Sequence, residues 1–137
     1  MASTPQFVNT PRIETVNVAT ANTTLEGATA GTTPTTPPTS LISGATGGTR
    51  VLEIAVKCAA TSAAANINIW LTTNSGTMWR LFDTISVAAV TTGNTTATNR
   101  VRTTYPNLVL KDSTHSVGVT TTIAQSTNVI ALGGDLA

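Results

Sequence analysis

Apolar and polar residues alternate in several short stretches of this chain, and the period of the alternation is two. The pattern is clearest in residues 50–58 and 66–72, and it recurs in residues 13–19. Such alternation is typical of a β-strand with one buried face. Nowhere do apolar residues recur at i, i+3, i+4 and i+7 for long enough to predict a helix of useful length. We therefore expect an all-β protein.

The alternation also predicts which side of each strand is buried. In residues 13–19 the inner face is expected to carry Glu14, Val16 and Val18. In residues 50–58 the apolar face carries Leu52, Ile54, Val56 and Cys58. Further strands are predicted at residues 108–111, 116–123 and 127–132. About eight strands fit the chain, which favours an antiparallel β-sandwich resembling a jelly roll.

Two segments rich in proline and threonine are predicted to be extended and unpaired. Residues 1–12 form an expected N-terminal arm, followed by a single domain over residues 13–137. The sequence TAGTTPTTPP lies in a predicted Thr/Pro-rich surface loop at residues 29–40, because proline has no N–H to donate to a sheet. Each segment is open to two interpretations. It is only a loop or tail, or it reaches across to a neighbouring subunit.

Both tryptophans fall within NINIWLTTNSGTMWRLFDTISV, residues 66–87, which is typical of a hairpin. A three-residue loop at residues 74–76, with its glycine in the left-handed conformation, places Trp70 opposite Arg80. The face expected to join the core carries Ile67, Ile69, Leu71, Trp79 and Leu81. The outer face carries Asn68, Trp70, Arg80 and Phe82.

The outer tryptophan and arginine have two interpretations. They form a simple cross-strand contact between a cation and an aromatic ring, or they belong to a contact between subunits, where Trp and Arg are enriched. The candidate interface combines this hairpin face with residues of the two extended segments. Its members are Trp70, Arg80, Phe82, Phe7, Pro11, Pro34, Pro37 and Pro38.

The chain is unusually poor in charge. Charged residues make up 9% of its 137 residues, and the formal net charge is +1, whereas a soluble domain usually carries about 25% charged residues. A surface with so little charge indicates a protein that packs against other subunits, and we expect a homo-oligomer. The basic residues are scattered along the sequence, so nucleic-acid binding is not expected. No apolar run approaches a membrane span, no secretory signal is recognised, and a single cysteine excludes an internal disulfide.

No group of residues is typical of an active site. Asp112, Ser113 and His115 occur together in KDSTH, but neighbours within one turn rarely reach the geometry of a catalytic triad. One histidine and one cysteine cannot form a structural zinc cluster, and Cys58 is expected to be a small core residue. The acidic residues lie singly. We expect no enzyme activity, no catalytic residue, no metal and no cofactor.

Four sequence elements follow one another over roughly the first two thirds of the chain. They are a Pro-x-Ile start at residues 11–13, a Thr-Ala-Asn-Thr turn at residues 20–23, a Gly-rich approach to an Arg-initiated strand at residues 44–50 and an aromatic hairpin at residues 70–82. In this order they resemble a group of small structural proteins of tailed bacteriophages. The segment TTPTTPP departs from that group, which has a short strand there. The resemblance implies a β-sandwich component of the virion and supplies no binding residue.

Two classes of function follow from the resemblance and the composition. The first is a capsid decoration or cement protein on the capsid exterior, a homotrimer that binds the major capsid protein lattice and stabilises it. The second is a receptor- or glycan-binding module of a tail or fibre, in which an exposed Trp70 is the stacking platform. A connector or minor tail protein is a third, weaker interpretation. The expected partners are other copies of the chain and the major capsid protein, with no nucleic acid and no membrane.

Overall fold

Two antiparallel sheets pack face to face in the computed structural model, which describes residues 8–23 and 37–136. The strands found in these residues are β1 (Val8–Val18), β2 (Thr39–Ser43), β3 (Thr49–Cys58), β4 (Ala65–Thr72), β5 (Arg80–Val87), β6 (Arg100–Leu110), β7 (Ser116–Thr121) and β8 (Thr127–Leu136). The first sheet has the order β1-β8-β3-β6, and the second has the order β2-β7-β4-β5. This is the strand order of a jelly roll. The predicted all-β sandwich and its number of strands are confirmed.

The core lies between the inner faces of the two sheets and consists mainly of β-branched side chains. Val56 of β3, Ile67 of β4, Val119 of β7 and Val129 of β8 are each 0% exposed. Cys58 belongs to the same cluster, as predicted. β-branched side chains fit a pleated, buried surface well, which explains why the alternating stretches form these strands.

A β-bulge in β3 changes the face of one predicted core residue. The pairing of β3 with both neighbouring strands shifts between Val51 and Glu53. Leu52 is therefore displaced outward and is 40% exposed, whereas Val51 is completely buried. The prediction that Leu52 shares the inner face with Ile54 is wrong, because a bulge adds one residue to a strand and resets the alternation.

The N-terminal part of the sandwich begins earlier than predicted. β1 starts at Val8, so residues 8–12 pair with β8 and are not part of an arm. Pro11 is accommodated because β1 is an edge strand with a partner on one side. Residues 1–7 and 24–36 lie outside the described residues. The start of the predicted arm and most of the loop predicted at residues 29–40 therefore lie outside them as well. β2 already begins at Thr39, within the range predicted as loop.

A cluster of charged and hydroxyl groups joins the two sheets beside β1. Arg12 donates hydrogen bonds to Glu14 at 2.8 Å, to Asp135 at 3.1 Å and to the Ser43 carbonyl of β2 at 2.9 Å. The Thr49 hydroxyl donates to Asp135 at 2.6 Å. This hydrogen bond from Thr49, followed by the contact with Arg12, holds the pKa of Asp135 below its usual range. These charges are therefore satisfied within the fold.

A second polar contact connects β6 of the first sheet with β5 of the second. The buried Tyr105 hydroxyl donates to the Asp83 carboxylate at 2.8 Å, and the Tyr105 ring lies 5.5 Å from that of Phe82. Burial, together with the hydrogen bond and the charge of Asp83, raises the pKa of Tyr105.

This contact predicts a loss of stability in alkaline solution. An unfolded tyrosine ionises near pH 10, so the stability contributed by neutral Tyr105 is fully present below about pH 10 and is lost as the pH rises through the higher folded-state pKa. Tyr105→Phe is expected to remove this part of the pH dependence and to lower the free energy of unfolding by about 1 kcal/mol at neutral pH. The chain has one tyrosine, so tyrosinate absorbance reports on Tyr105 alone. Ionisation of the folded protein near pH 10 would contradict the assignment.

Candidate interaction surface

The outer face of the second sheet buries both tryptophans. Trp70 is 0% exposed, and its indole N–H donates to the Thr120 hydroxyl at 3.0 Å. The Trp79 ring lies over Gly118, where an added Cβ would come within 2.7 Å of the ring. Pro38 covers the same glycine, 2.8 Å from that Cβ position. Glycine is therefore required at position 118 for this packing, and the chain itself covers this part of the sheet.

The register of the hairpin differs from the predicted one. Trp70 lies opposite Leu81 and Leu71 opposite Arg80, one residue away from the predicted register, and the pairing shifts by a further residue between Trp70 and Ile69. The predicted contact between Trp70 and Arg80 is therefore wrong. The prediction that Trp79 lies in the core is also wrong, because Trp79 packs on the outer face. The prediction that Trp70 is exposed is wrong as well. From the sequence Leu81 is expected on the core face, but it pairs with Trp70 and lies on the outer face.

Side-chain hydrogen bonds explain why the hairpin loop is longer than three residues. The Thr72 hydroxyl accepts from the Gly76 N–H at 3.0 Å, and the Asn74 side-chain oxygen accepts from the Met78 N–H at 3.0 Å. Gly76 has the predicted left-handed conformation with φ 80°, but Ser75 also has a positive φ of 59°. Threonine and asparagine side chains that bind nearby backbone groups compete with strand pairing. The strands consequently separate before the predicted loop.

Among the described residues, the exposed members of the predicted interface do not form one surface. Arg80, Phe82, Pro11 and Pro37 are exposed, Trp70 and Pro38 are buried, and Phe7 and Pro34 lie outside the described residues. The exposed members are spread over β1 at one edge of the first sheet, β5 at one edge of the second, and the approach to β2. Trp70 in particular cannot act as an exposed stacking platform.

An apolar surface that the sequence interpretation missed lies on the outer face of the first sheet. Ile13, in β1, is 70% exposed and pairs directly with Leu132 of β8. The next residue of β8 on the same face is Ile130, which like Leu132 is half-buried. Leu52 projects beside them from the bulge of β3 and is 40% exposed. We call the surface formed by Ile13, Leu52, Ile130 and Leu132 the apolar face.

Strand geometry explains why Ile13 must point outward. Arg12 and Glu14 turn toward Asp135 and the second sheet, so the residue between them projects to the opposite side. The alternation in residues 13–19 already placed Ile13 on the outer side. The sequence did not show that Leu132, Ile130 and Leu52 would join it, because this depends on strand order and on the bulge.

A bidentate ion pair borders the apolar face. Arg102 of β6 donates to the two carboxylate oxygens of Glu53 at 2.7 and 2.6 Å, and Glu53 is 8% exposed. The hydrogen bonds from Arg102 hold the pKa of Glu53 below its usual range. This geometry fixes the orientation of both side chains at the rim of the apolar face.

The residues considered as catalytic candidates form a turn. Asp112 accepts a hydrogen bond from the Thr114 N–H at 2.9 Å, and the bonds from Thr114 hold the pKa of Asp112 below its usual range. The His115 ring accepts from the Lys111 N–H at 3.4 Å. Across residues 8–23 and 37–136, no three His, Cys, Asp or Glu side chains are grouped so that they could hold a metal ion. The same residues include no helix long and apolar enough to cross a membrane.

Comparisons of the chain with protein-family models, with curated proteins and with solved structures returned no match.

Proposed function

We propose that the chain is a structural protein of a tailed-bacteriophage virion, a decoration or cement protein that binds the major capsid protein lattice from the capsid exterior. The observation that carries this proposal is the apolar face. Ile13 is 70% exposed within a regular strand, beside the half-buried Leu132. An apolar patch on an otherwise polar sheet is characteristic of a surface that docks against another protein.

Three further observations support the proposal. The jelly roll is used by viral capsid domains, although it also serves lectins and enzymes, so the fold alone does not determine function. The chain carries only 9% charged residues, which suits a subunit packed among others. The sequence elements at residues 11–13, 20–23, 44–50 and 70–82 resemble those of small phage structural proteins.

The mechanism is stabilisation by mass action. A protein that binds only the assembled lattice stabilises it by RT ln(1 + [L]/Kd), which is about 2.7 kcal/mol per site at a hundredfold excess over Kd. Repetition over many sites raises the resistance of the shell to internal DNA pressure. The chain acts as a homo-oligomer, for which we propose a trimer, since closed symmetry covers exposed strand edges such as β1 and β5.

Copy number in purified virions tests this function against the tail or fibre alternative. Quantitative mass spectrometry is expected to find on the order of hundreds of copies per particle, as a lattice-binding protein of a symmetric shell requires. Heads assembled without the chain are expected to release DNA at a lower temperature than heads that carry it. A dozen copies or fewer, or an unchanged release temperature, would contradict a decoration role.

The contribution of the N-terminal segment is tested with a deletion shorter than the arm predicted at residues 1–12. Removing residues 1–10 would cut into β1, which begins at Val8, and would confuse loss of folding with loss of binding. Deletion of residues 1–7 leaves every described strand intact. If this segment bridges capsid subunits, its deletion lowers head occupancy and release temperature. Unchanged values for both would remove it from the mechanism.

A further inference from the structure

Four of the seven basic residues of the chain lie on one sheet face, although they are dispersed along the sequence. Lys57 of β3 pairs directly with Arg100 of β6, and Arg102 is on the same side two residues further along β6. Arg50 lies outward at the other end of β3, opposite Val109, which is 48% exposed. We call Arg50, Lys57, Arg100 and Arg102 the basic row. It extends for about 20 Å along the outer face of the first sheet.

The negative charge on this face is already neutralised. Glu53 lies among the basic residues, but both of its carboxylate oxygens are occupied by Arg102. Arg50 and Lys57 donate to the carbonyl oxygens of Pro106 and Thr98, at 2.9 and 3.3 Å. Within the described part of the chain, none of Arg50, Lys57 and Arg100 forms an ion pair. Glu53 offsets one of the four positive charges of the basic row, so the row keeps a net positive charge.

The surroundings of the basic row favour a protein partner over a nucleic acid. The row borders the apolar face, and an apolar centre with arginine nearby is typical of protein interfaces. Proteins that bind single strands usually add exposed aromatic side chains on which bases stack. Among the described aromatic residues, Trp70, Trp79 and Tyr105 are buried, and the exposed Phe82 lies in the second sheet.

We propose that the basic row binds an acidic patch on the protein surface against which the apolar face docks. This inference rests on the proposed function, because it names the chemistry of the partner at the same face. The apolar face supplies the buried contact, and the basic row selects the partner, guides the encounter and fixes the orientation of docking. A second copy presenting this same face is disfavoured, since its charges would repel.

The test uses the full-length protein and immobilised poly-L-glutamate, with a DNA duplex and poly-L-glutamine as parallel probes. The unsubstituted chain is expected to bind poly-L-glutamate, with Kd rising about tenfold between 50 and 300 mM salt. Lys57→Gln combined with Arg100→Gln is expected to weaken binding at low salt about tenfold. The matched control, Arg80→Gln combined with Lys111→Gln, removes the same charge at two positions outside the basic row, in β5 and just after β6, and is expected to stay within about twofold.

Each outcome decides the inference. Equal losses in the two double variants, or no binding to poly-L-glutamate above poly-L-glutamine, would overturn it. The inference would also be overturned if the chain bound DNA more tightly than poly-L-glutamate and the Lys57 and Arg100 variant lost this binding. The partner of the basic row would then be a nucleic acid. All four substituted residues are exposed, and matching thermal unfolding of both variants checks that folding is retained. The assay uses no phage particles, so its failure is distinct from absence of the chain from virions.

Discussion

Replacement of Gly133 by alanine is expected to lower the free energy of unfolding by about 3 kcal/mol. Gly133 lies in β8 between Arg12 of β1 and Val51 of β3, and a Cβ at this position would collide with the carbonyl oxygen of Arg50. Because the obstacle is backbone held in a sheet, no rotamer change relieves it. Denaturant unfolding followed by tryptophan fluorescence measures the loss.

A matched control exists in the same chain. Gly93 has open space around its Cβ position and does not have a positive φ, so Gly93→Ala is expected to be neutral or stabilising by less than about 1 kcal/mol. If Gly133→Ala lowers the free energy of unfolding no more than Gly93→Ala does, β3 and β8 do not approach each other as closely beside the Leu52 bulge as described. The arrangement of the apolar face would then be incorrect as well.

The substitution Ile13→Asp is expected to weaken binding to phage heads by about 30-fold, which corresponds to about 2 kcal/mol. A charge at the most exposed residue of the apolar face must lose its hydration when the face docks, and it has no partner built for it. The free protein is expected to change in stability by less than about 0.5 kcal/mol, because Ile13 is 70% exposed. Head-binding isotherms and thermal unfolding separate the two effects.

Ser86→Asp is the control for this change. Ser86 is exposed on β5 in the second sheet, where its hydroxyl donates to the Asn66 side chain at 2.9 Å. The same new charge there is expected to leave head binding within about twofold. Equal weakening by both substitutions would mean that added negative charge, and not the apolar face, reduces binding.

The fold could be predicted because the alternation of residue types extends along most strands. The stretch at residues 50–58 became β3, and the aligned Val117 and Val119 became the inner face of β7. The exception at Leu52 arises from a bulge that no glycine or proline marks within β3 itself, and the residues beside it, Gly133 of β8 and Pro106 of β6, are distant in sequence. The hairpin register was missed for a related reason, since Thr72 and Asn74 bind the backbone of the loop and displace the pairing.

The interaction surface was harder to predict, because it depends on contacts between residues far apart in sequence. Lys57 and Arg100 become neighbours only through the pairing of β3 with β6, and Ile13 meets Leu132 only through β1 and β8. The two tryptophans gave a misleading signal. Their concentration in one hairpin indicates a second packed layer on the outer sheet face, where Gly118 makes room for Trp79.

Thiol labelling of the head-bound protein tests most directly whether the outer face of the first sheet is the docking surface. Thr15→Cys places a thiol on that face beside Ile130, and Ser86→Cys places one on the second sheet, while native Cys58 is 1% exposed and contributes little background. Binding to heads is expected to slow maleimide labelling at position 15 by at least about tenfold and to leave position 86 unchanged, since a docked interface excludes solvent. Undiminished labelling at position 15 of bound protein, with protection at position 86, would contradict the account.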